Sequence, residues 1–196
     1  MRAALRIGSV VLAAGTSSRY GSPKQLVLFE GSPLVFRAAK AARDAGADPV
    51  VVVVGADAEL VSPALSSLRD IRTVVNDRWR EGLSSSLACG VRAVIGIHEC
   101  DGVLITLADQ PLVDAAALRT LLDAFDAQHQ VVASEYGGTV GVPAVFGRQH
   151  LDSLMSLTGD AGAGAWLRGR KASVTRVPLP AAAHDVDTRE DFARLA

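Results

Sequence analysis

Short, continuously apolar runs that alternate with stretches of helical period constrain this chain more than any other feature. Residues 50–54 are five valines, and residues 103–106 read VLIT. Runs this short, without polar alternation, suit strands covered on both faces. The pattern predicts strands over Ile7–Ala13, Val50–Val54, Arg72–Val75, Gly102–Leu107, Val131–Ser134, Val140–Phe146 and Val174–Pro178. One helix is predicted from Ser32-Pro33 to Ala45, with Ser32 as N-cap, Pro33 at the first helical position and Gly46 past the end. A second starts near Ser62-Pro63. Others cover Ser84–Ile97, Asp114–Gln128, Arg148–Leu157 and Ala161–Arg168, and the last begins at Thr188, with Asp191 three residues on in a near capping box. Such alternation implies an α/β three-layer sandwich: a mostly parallel sheet with helices on both faces. The rhythm loosens after residue 134, so a partly antiparallel C-terminal portion is expected. No repeat or linker divides the chain, and residues 1–196 are read as a single domain.

Composition narrows the partners. The chain has 196 residues and a formal net charge of −1, with 20 basic against 21 acidic side chains. That balance argues against a nucleic-acid binder that works by broad phosphate neutralisation. Of the basic residues 17 are Arg and three are Lys: Lys24, Lys40 and Lys171. No apolar run reaches 18 residues, so no membrane span is expected. The opening MRAALRIGSVVLAAG has basic residues before an apolar run, but that run is a strand pattern leading into a glycine loop. A cytoplasmic protein is expected. Cys89 and Cys100 form no disulfide framework, and the four histidines lack metal-ligand spacing. Cys89 sits in an apolar helical stretch and reads as a structural thiol.

In sheets of this kind ligands sit beyond the C-terminal ends of the strands. The loop after the first strand, residues 12–24, reads LAAGTSSRYGSPK. Gly15 and Gly21 let backbone amides turn toward an anion, and Arg19 and Lys24 add charge-assisted bonds to phosphate oxygens. The spacing is neither a P-loop nor a dinucleotide fingerprint. Asp109, in ADQP directly after the strand at 102–107, is placed to hold a divalent cation; a turn aspartate is the plainer reading. Asp185 and Asp187 alternate along HDVDT, so one of them completes a metal site or both serve a capped helix start. Gly82 and the serines of NDRWREGLSSS precede a helix and either read a base or phosphate or simply cap it. Two cations and two carboxylates leave a nucleoside triphosphate of about −4 unneutralised, which calls for magnesium.

These segments resemble the nucleotidyltransferases with a Rossmann-like fold. With NDRWREGLSSSLACG, LADQP, GVPAVF, LTGDAGA and DVDT, the chain is similar to the molybdenum cofactor cytidylyltransferase branch across residues 12–191. The resemblance implies transfer of CMP from CTP to the phosphate of a molybdenum-pterin cofactor, with release of pyrophosphate and a molybdoenzyme receiving the product. It implies that Leu12, Ala13, Ala14 and Gly15 face the base and phosphates, with Gly82 and Ser85 near base or ribose. Arg19 and Lys24 would bind the triphosphate and stabilise the leaving charge. Asp109 and Asp187 would hold magnesium. Pro143, Gly159, Asp160 and Gly162 would shape the acceptor pocket. Leu-Ala-Ala-Gly favours CTP over GTP in this family, through Ala14. One departure stands out: GDAGAGAW has Gly164 where relatives often carry a basic residue. Alternatives on the same scaffold are another nucleotide or acceptor (a guanylyltransferase or sugar nucleotidyltransferase), a reductase, and a non-catalytic molybdenum cofactor carrier.

Overall fold

A computed structural model describes residues 5–170 and 173–195. The strands are β1 (Ile7–Ala13), β2 (Leu28–Phe29), β3 (Ser32–Pro33), β4 (Val50–Val54), β5 (Ile71–Val75), β6 (Gly102–Leu107), β7 (Val131–Tyr136), β8 (Thr139–Gly147) and β9 (Thr175–Pro178). The α-helices are α1 (Leu34–Asp44), α2 (Ala58–Val61), α3 (Leu83–Ile97), α4 (Ala115–Ala124), α5 (Leu151–Met155), α6 (Ala163–Arg168) and α7 (Arg189–Ala193). The main sheet runs β5-β4-β1-β6-β8-β7-β9, and β2 with β3 forms a separate ribbon. Within the main sheet β8 alone runs against the rest. It pairs antiparallel with both β6 and β7, while the other neighbours pair in parallel. The α/β sandwich with a partly antiparallel C-terminal portion is therefore what forms.

The valine run becomes β4 because both faces of the sheet are covered. Val50, Val52 and Val54 pack with Val11 and Ala13 against α1 and α4, through Val35, Ala39, Leu118 and Leu121. Val51 and Val53 pack with Val10 and Leu12 against α3, through Leu87, Val91 and Val94. Each fully buried valine contributes about 1.5–3 kcal/mol relative to exposure. Such continuous burial leaves polar chemistry only at the strand ends.

Several boundaries differ from the pattern. Ser32 and Pro33 pair with Phe29 and Leu28, so they lie in an extended ribbon and α1 begins at Leu34 without a side-chain cap. Here a tight turn at Glu30-Gly31, both with positive φ, outweighs local capping preference. The helix expected at Ser62-Pro63 starts earlier, at Ala58, and passes into a 3-10 turn over Ser62–Leu65. α4 ends at Ala124 because Phe125 turns extended into the core and Asp126 accepts the backbone N–H groups of Gln128 and His129. The stretch 148–157 divides into a 3-10 turn and a short α5. At Thr188 the capping box forms in full with Asp191.

Close approach of α3 to the sheet depends on Gly90. A Cβ there would overlap Val10 and meet Val53 Cγ2 at 2.8 Å. Overpacking of this kind costs about 1–3 kcal/mol, against about 1 kcal/mol gained from alanine's helix preference. Gly90→Ala is expected to lower Tm by a few degrees, and thermal unfolding followed by circular dichroism would check it. An unchanged or higher Tm would mean that α3 is free to shift outward.

Candidate active site

A cleft of about 430 Å³ opens at the C-terminal ends of β1 and β6, where a mostly parallel sheet leaves its loops free. Leu12–Thr16 and Leu107–Asp109 form its floor, Lys24 and Gln25 one side, and Trp79, Arg80, Gly82 and Leu83 with Ser86 and Asp160 the other. The Arg80 guanidinium lies 4.2 Å from the centroid of the Trp79 ring and stiffens that wall.

At one end of the cleft, Lys24 Nζ donates to Asp109 Oδ2 at 2.6 Å and to Asp187 Oδ1 at 2.8 Å. Arg19, largely exposed, pairs with the other Asp187 oxygen at 3.0 Å. The three sequence-distant motifs therefore meet at one ammonium. Their meeting is enforced by backbone: the Val186 N–H donates to the Asp109 carbonyl at 2.8 Å and ties the 184–188 segment to the end of β6. Burial works against the charge on Lys24, but Asp109 and Asp187 outweigh it and raise its pKa. The Lys24 hydrogen bond holds the Asp187 carboxyl below its ordinary range against the opposing effect of burial, and Arg19 adds to the lowering. Asp185 is different. Surrounding protein, then the Asp109 charge, push its carboxyl up to about 6 although the residue keeps a solvent-facing surface.

Two observations bear on a divalent cation. Asp109 and Asp187 converge on a single point now taken by Nζ, and the second Asp109 oxygen, Oδ1, is buried without a hydrogen-bond partner. No group of three or more His, Cys, Asp or Glu side chains with metal-site geometry occurs among the described residues. A pair of carboxylates with an unfilled lone-pair direction fits magnesium, which takes one or two carboxylates plus substrate oxygens.

Gln25 is a positioning residue that the motifs did not single out. It is buried, and its amide donates to the carbonyls of Ala13 (3.0 Å) and Gly15 (2.8 Å). Its oxygen accepts from Ser17 Oγ, which in turn accepts from the Lys24 N–H. This network holds Ser17 at φ +53 and bends the loop so that Lys24 turns back into the cleft. A polar residue between Lys24 and the apolar stretch LVLF was its one sequence signal.

Other expected site residues fall in different places. Leu12, Ala13, Ala14, Gly15, Gly82 and Asp160 line the cleft. Ser85 does not line it. Its one hydroxyl proton is shared between the carbonyls of Arg78 and Gly82, both at 2.9 Å, its oxygen accepts from Asn76 Nδ2, and Ser86, the next residue, reaches the cleft instead. Gly82 has φ +100, and a Cβ there would overlap the Gly159 backbone. With the Ser84 N–H donating to the Gly159 carbonyl, Gly82 seats the 158–161 loop on α3. Gly159 faces a neighbouring surface cavity, whereas Gly162 lines a smaller pocket beside the cleft. Pro143 is buried behind that pocket and Val142 forms the wall, with the Pro143 carbonyl accepting from Ser134 Oγ at 2.6 Å.

A family model described as MobA-like NTP transferase domain matches residues 9–176. Nicotine blue oxidoreductase of Paenarthrobacter nicotinovorans is 32% identical over 203 residues, covering 96% of each chain. A nucleotidyl transferase from Methanothermobacter superposes with a TM-score of 0.82 at 28% identity, over 97% of this chain and 95% of that one. The Rv0371c protein of Mycobacterium tuberculosis, solved in complex with manganese, superposes with a TM-score of 0.77 at 29% identity, over 97% of both chains.

Removing Gln25 takes the side-chain donor from the Gly15 carbonyl and from the buried Ala13 carbonyl, the latter loss costing about 1–3 kcal/mol. Gln25→Ala is expected to lower Tm and to speed amide hydrogen exchange in residues 14–21 more than in β4. Exchange that quickens uniformly, or not at all, would show that the loop holds its shape by other means.

Proposed function

The chain belongs to the MobA-like NTP transferase family, and from that membership and the geometry of the cleft we propose that it is a magnesium-dependent cytidylyltransferase. It moves CMP from CTP to the phosphate of a molybdenum-pterin cofactor. The observation that carries this reading is the convergence of Lys24, Asp109 and Asp187 at the mouth of the cleft, with Asp109 Oδ1 left unpartnered.

Leu12–Gly15 accommodate base and phosphates along the cleft floor. Arg19 and Lys24 neutralise the triphosphate, and their charges stabilise the negative charge that builds on the departing pyrophosphate. Asp109 and Asp187 would hold magnesium, which would supply Lewis-acid polarisation of the phosphate oxygens. An oxygen of the acceptor phosphate attacks the α-phosphorus. One P–O bond forms, the α–β bridge breaks, and pyrophosphate leaves with the electron pair. No protein nucleophile is needed, since positioning and charge supply the rate. Lys24 neutralises the same two carboxylates, which would otherwise repel each other at about 4 kcal/mol per close pair.

Ala14 on the cleft floor supports CTP over a larger base, although a methyl group discriminates by only about 1–3 kcal/mol. Both cysteines are free, which supports a reducing, cytoplasmic setting. No helix among the described residues is long and apolar enough to cross a membrane.

A reductase on the same scaffold is the second reading. It is favoured by the full-length relative named nicotine blue oxidoreductase. Pyrophosphate release from CTP, GTP, ATP and UTP, with magnesium and the pterin acceptor, separates the two. We expect release with CTP, a loss of at least about 100-fold in Asp109→Asn and Lys24→Ala, and unchanged far-ultraviolet circular dichroism in both variants. Release from no nucleotide, together with oxidation of a reduced nicotinamide dinucleotide in the presence of a heteroaromatic dye, would replace the transferase reading with the reductase one.

A further inference from the structure

A groove of about 390 Å³ follows α3 on the other side of the 158–161 loop from the cleft: Gly159 lines the groove and Asp160 the cleft. The groove shares no lining residue with the cleft or with the smaller pocket beside it. One wall is a helical stripe, with Ser84, Ala88 and Arg92 four residues apart and Cys89 beside them. Met155 and Leu157 make the facing apolar wall.

Ser84 is only 4% exposed, and what it exposes lies on the groove lining. Its N–H donates to the Gly159 carbonyl at 3.1 Å, but its hydroxyl forms no hydrogen bond among the described residues. A buried hydroxyl without a partner is costly. Arg92 is exposed and forms no ion pair or side-chain hydrogen bond among the described residues. Side chains on a helix lean toward its N-terminus, so the Arg92 guanidinium extends back over Ala88 toward Ser84. Arg78, also on the lining, is neutralised by Glu81. Burial pushes the Cys89 thiol up, and of the charges that act on it Arg92 outweighs Asp77. The groove is therefore positive, and its cysteine is a neutral thiol.

We propose that this groove is an effector site for a small aliphatic carboxylate, with the carboxylate between Arg92 and the Ser84 hydroxyl and the chain against Met155 and Leu157. A carboxylate accepts from both a guanidinium and a hydroxyl, and the apolar wall rewards burial of its chain. The loop between groove and cleft keeps such a ligand away from the reacting groups, so it acts as an effector and not as a substrate. The two cavities have a wall in common. Gly82 and Asp160 line the cleft, while Ser84 and Gly159 line the groove and are bonded to each other. A ligand that orders this wall leaves less ordering for nucleotide binding, and the two bind cooperatively. The cooperativity rests on reading the cleft as the nucleotide site; the groove and its ligand do not.

Alkylation of Cys89 by N-ethylmaleimide reports occupancy, with the buried Cys100 as internal reference. Hexanoate is the probe, and inorganic phosphate and 1-hexanol carry its charge and its chain separately. We expect saturating hexanoate to slow Cys89 alkylation at least about fivefold and to slow amide exchange in residues 158–161. Neither control should match it at equal concentration. Isothermal titration should show CTP binding about fivefold tighter with hexanoate than without. Ser84→Ala and Arg92→Gln should each lose most of the protection, read as the ratio of alkylation rates with and without hexanoate. Ser84→Ala should not lower Tm, because its hydroxyl has no partner to lose; a lower Tm would show that the fold itself uses the hydroxyl and would overturn the proposal. So would the absence of protection, equal protection by either control, or protection that survives both substitutions. Protection with unchanged CTP affinity or unchanged exchange would overturn the effector role. Failure to bind CTP at all, with protection intact, would count against the nucleotide reading of the cleft and not against the ligand of the groove.

Discussion

One ammonium group organises the ligand edge of this protein. Lys24 Nζ spans two carboxylates that lie 78 residues apart in the chain, Asp109 and Asp187, and both contacts are at hydrogen-bond length. Its charge is held in a partly buried place by the carboxylates, and the Lys24 bond favours the ionised form of Asp187 in return. Such a pair contributes little net stability, because desolvation offsets much of the attraction. Its value lies in specification. Loss of one partner would leave a partly buried charge uncompensated, so the first loop, the end of β6 and the 184–188 segment must assemble together.

Around that point the scaffold is built by polar side chains that bond to backbone. Gln25 fastens the start of the first loop to the end of β1. Gln110 plays the same part on the other side, donating to the carbonyls of Ala182 and Val142 and so drawing the C-terminal segment and β8 to the end of β6. Both glutamines are buried, and both directly follow a residue of the charged triad. Lys24 and Asp109 carry the charges of this cluster, and the neighbours at 25 and 110 tie their backbone in place.

Much of the fold was legible because burial on two faces leaves a simple imprint. An all-valine β4 has few alternatives, and the capping box at Thr188 forms as its residue types require. Ser32-Pro33 misled because a helix start and an extended ribbon accept the same residues, and the Glu30-Gly31 turn decides between them. Of the candidate site, the charged residues were visible through their positions after strands. Gln25 was not, since an amide carries no chemistry until its surroundings are known, and among the serines at 84–86 only the structure separates Ser86, on the cleft, from Ser85. Ser85 shows the converse: a serine in a promising motif whose hydrogen-bonding capacity is consumed by its own turn.

By itself the sequence determined the layers, the chain order of the strands and the loops that lie at their ends, because the period and burial of apolar residues are local properties. Only the tertiary structure decided which charged groups meet, that Lys24 occupies the space between two carboxylates, and that the Arg168 guanidinium reaches back along its helix to Gly164. Those outcomes depend on the order of strands in the sheet and on the reach of side chains across a helix turn. Both are distances in space, and a linear spacing does not contain them.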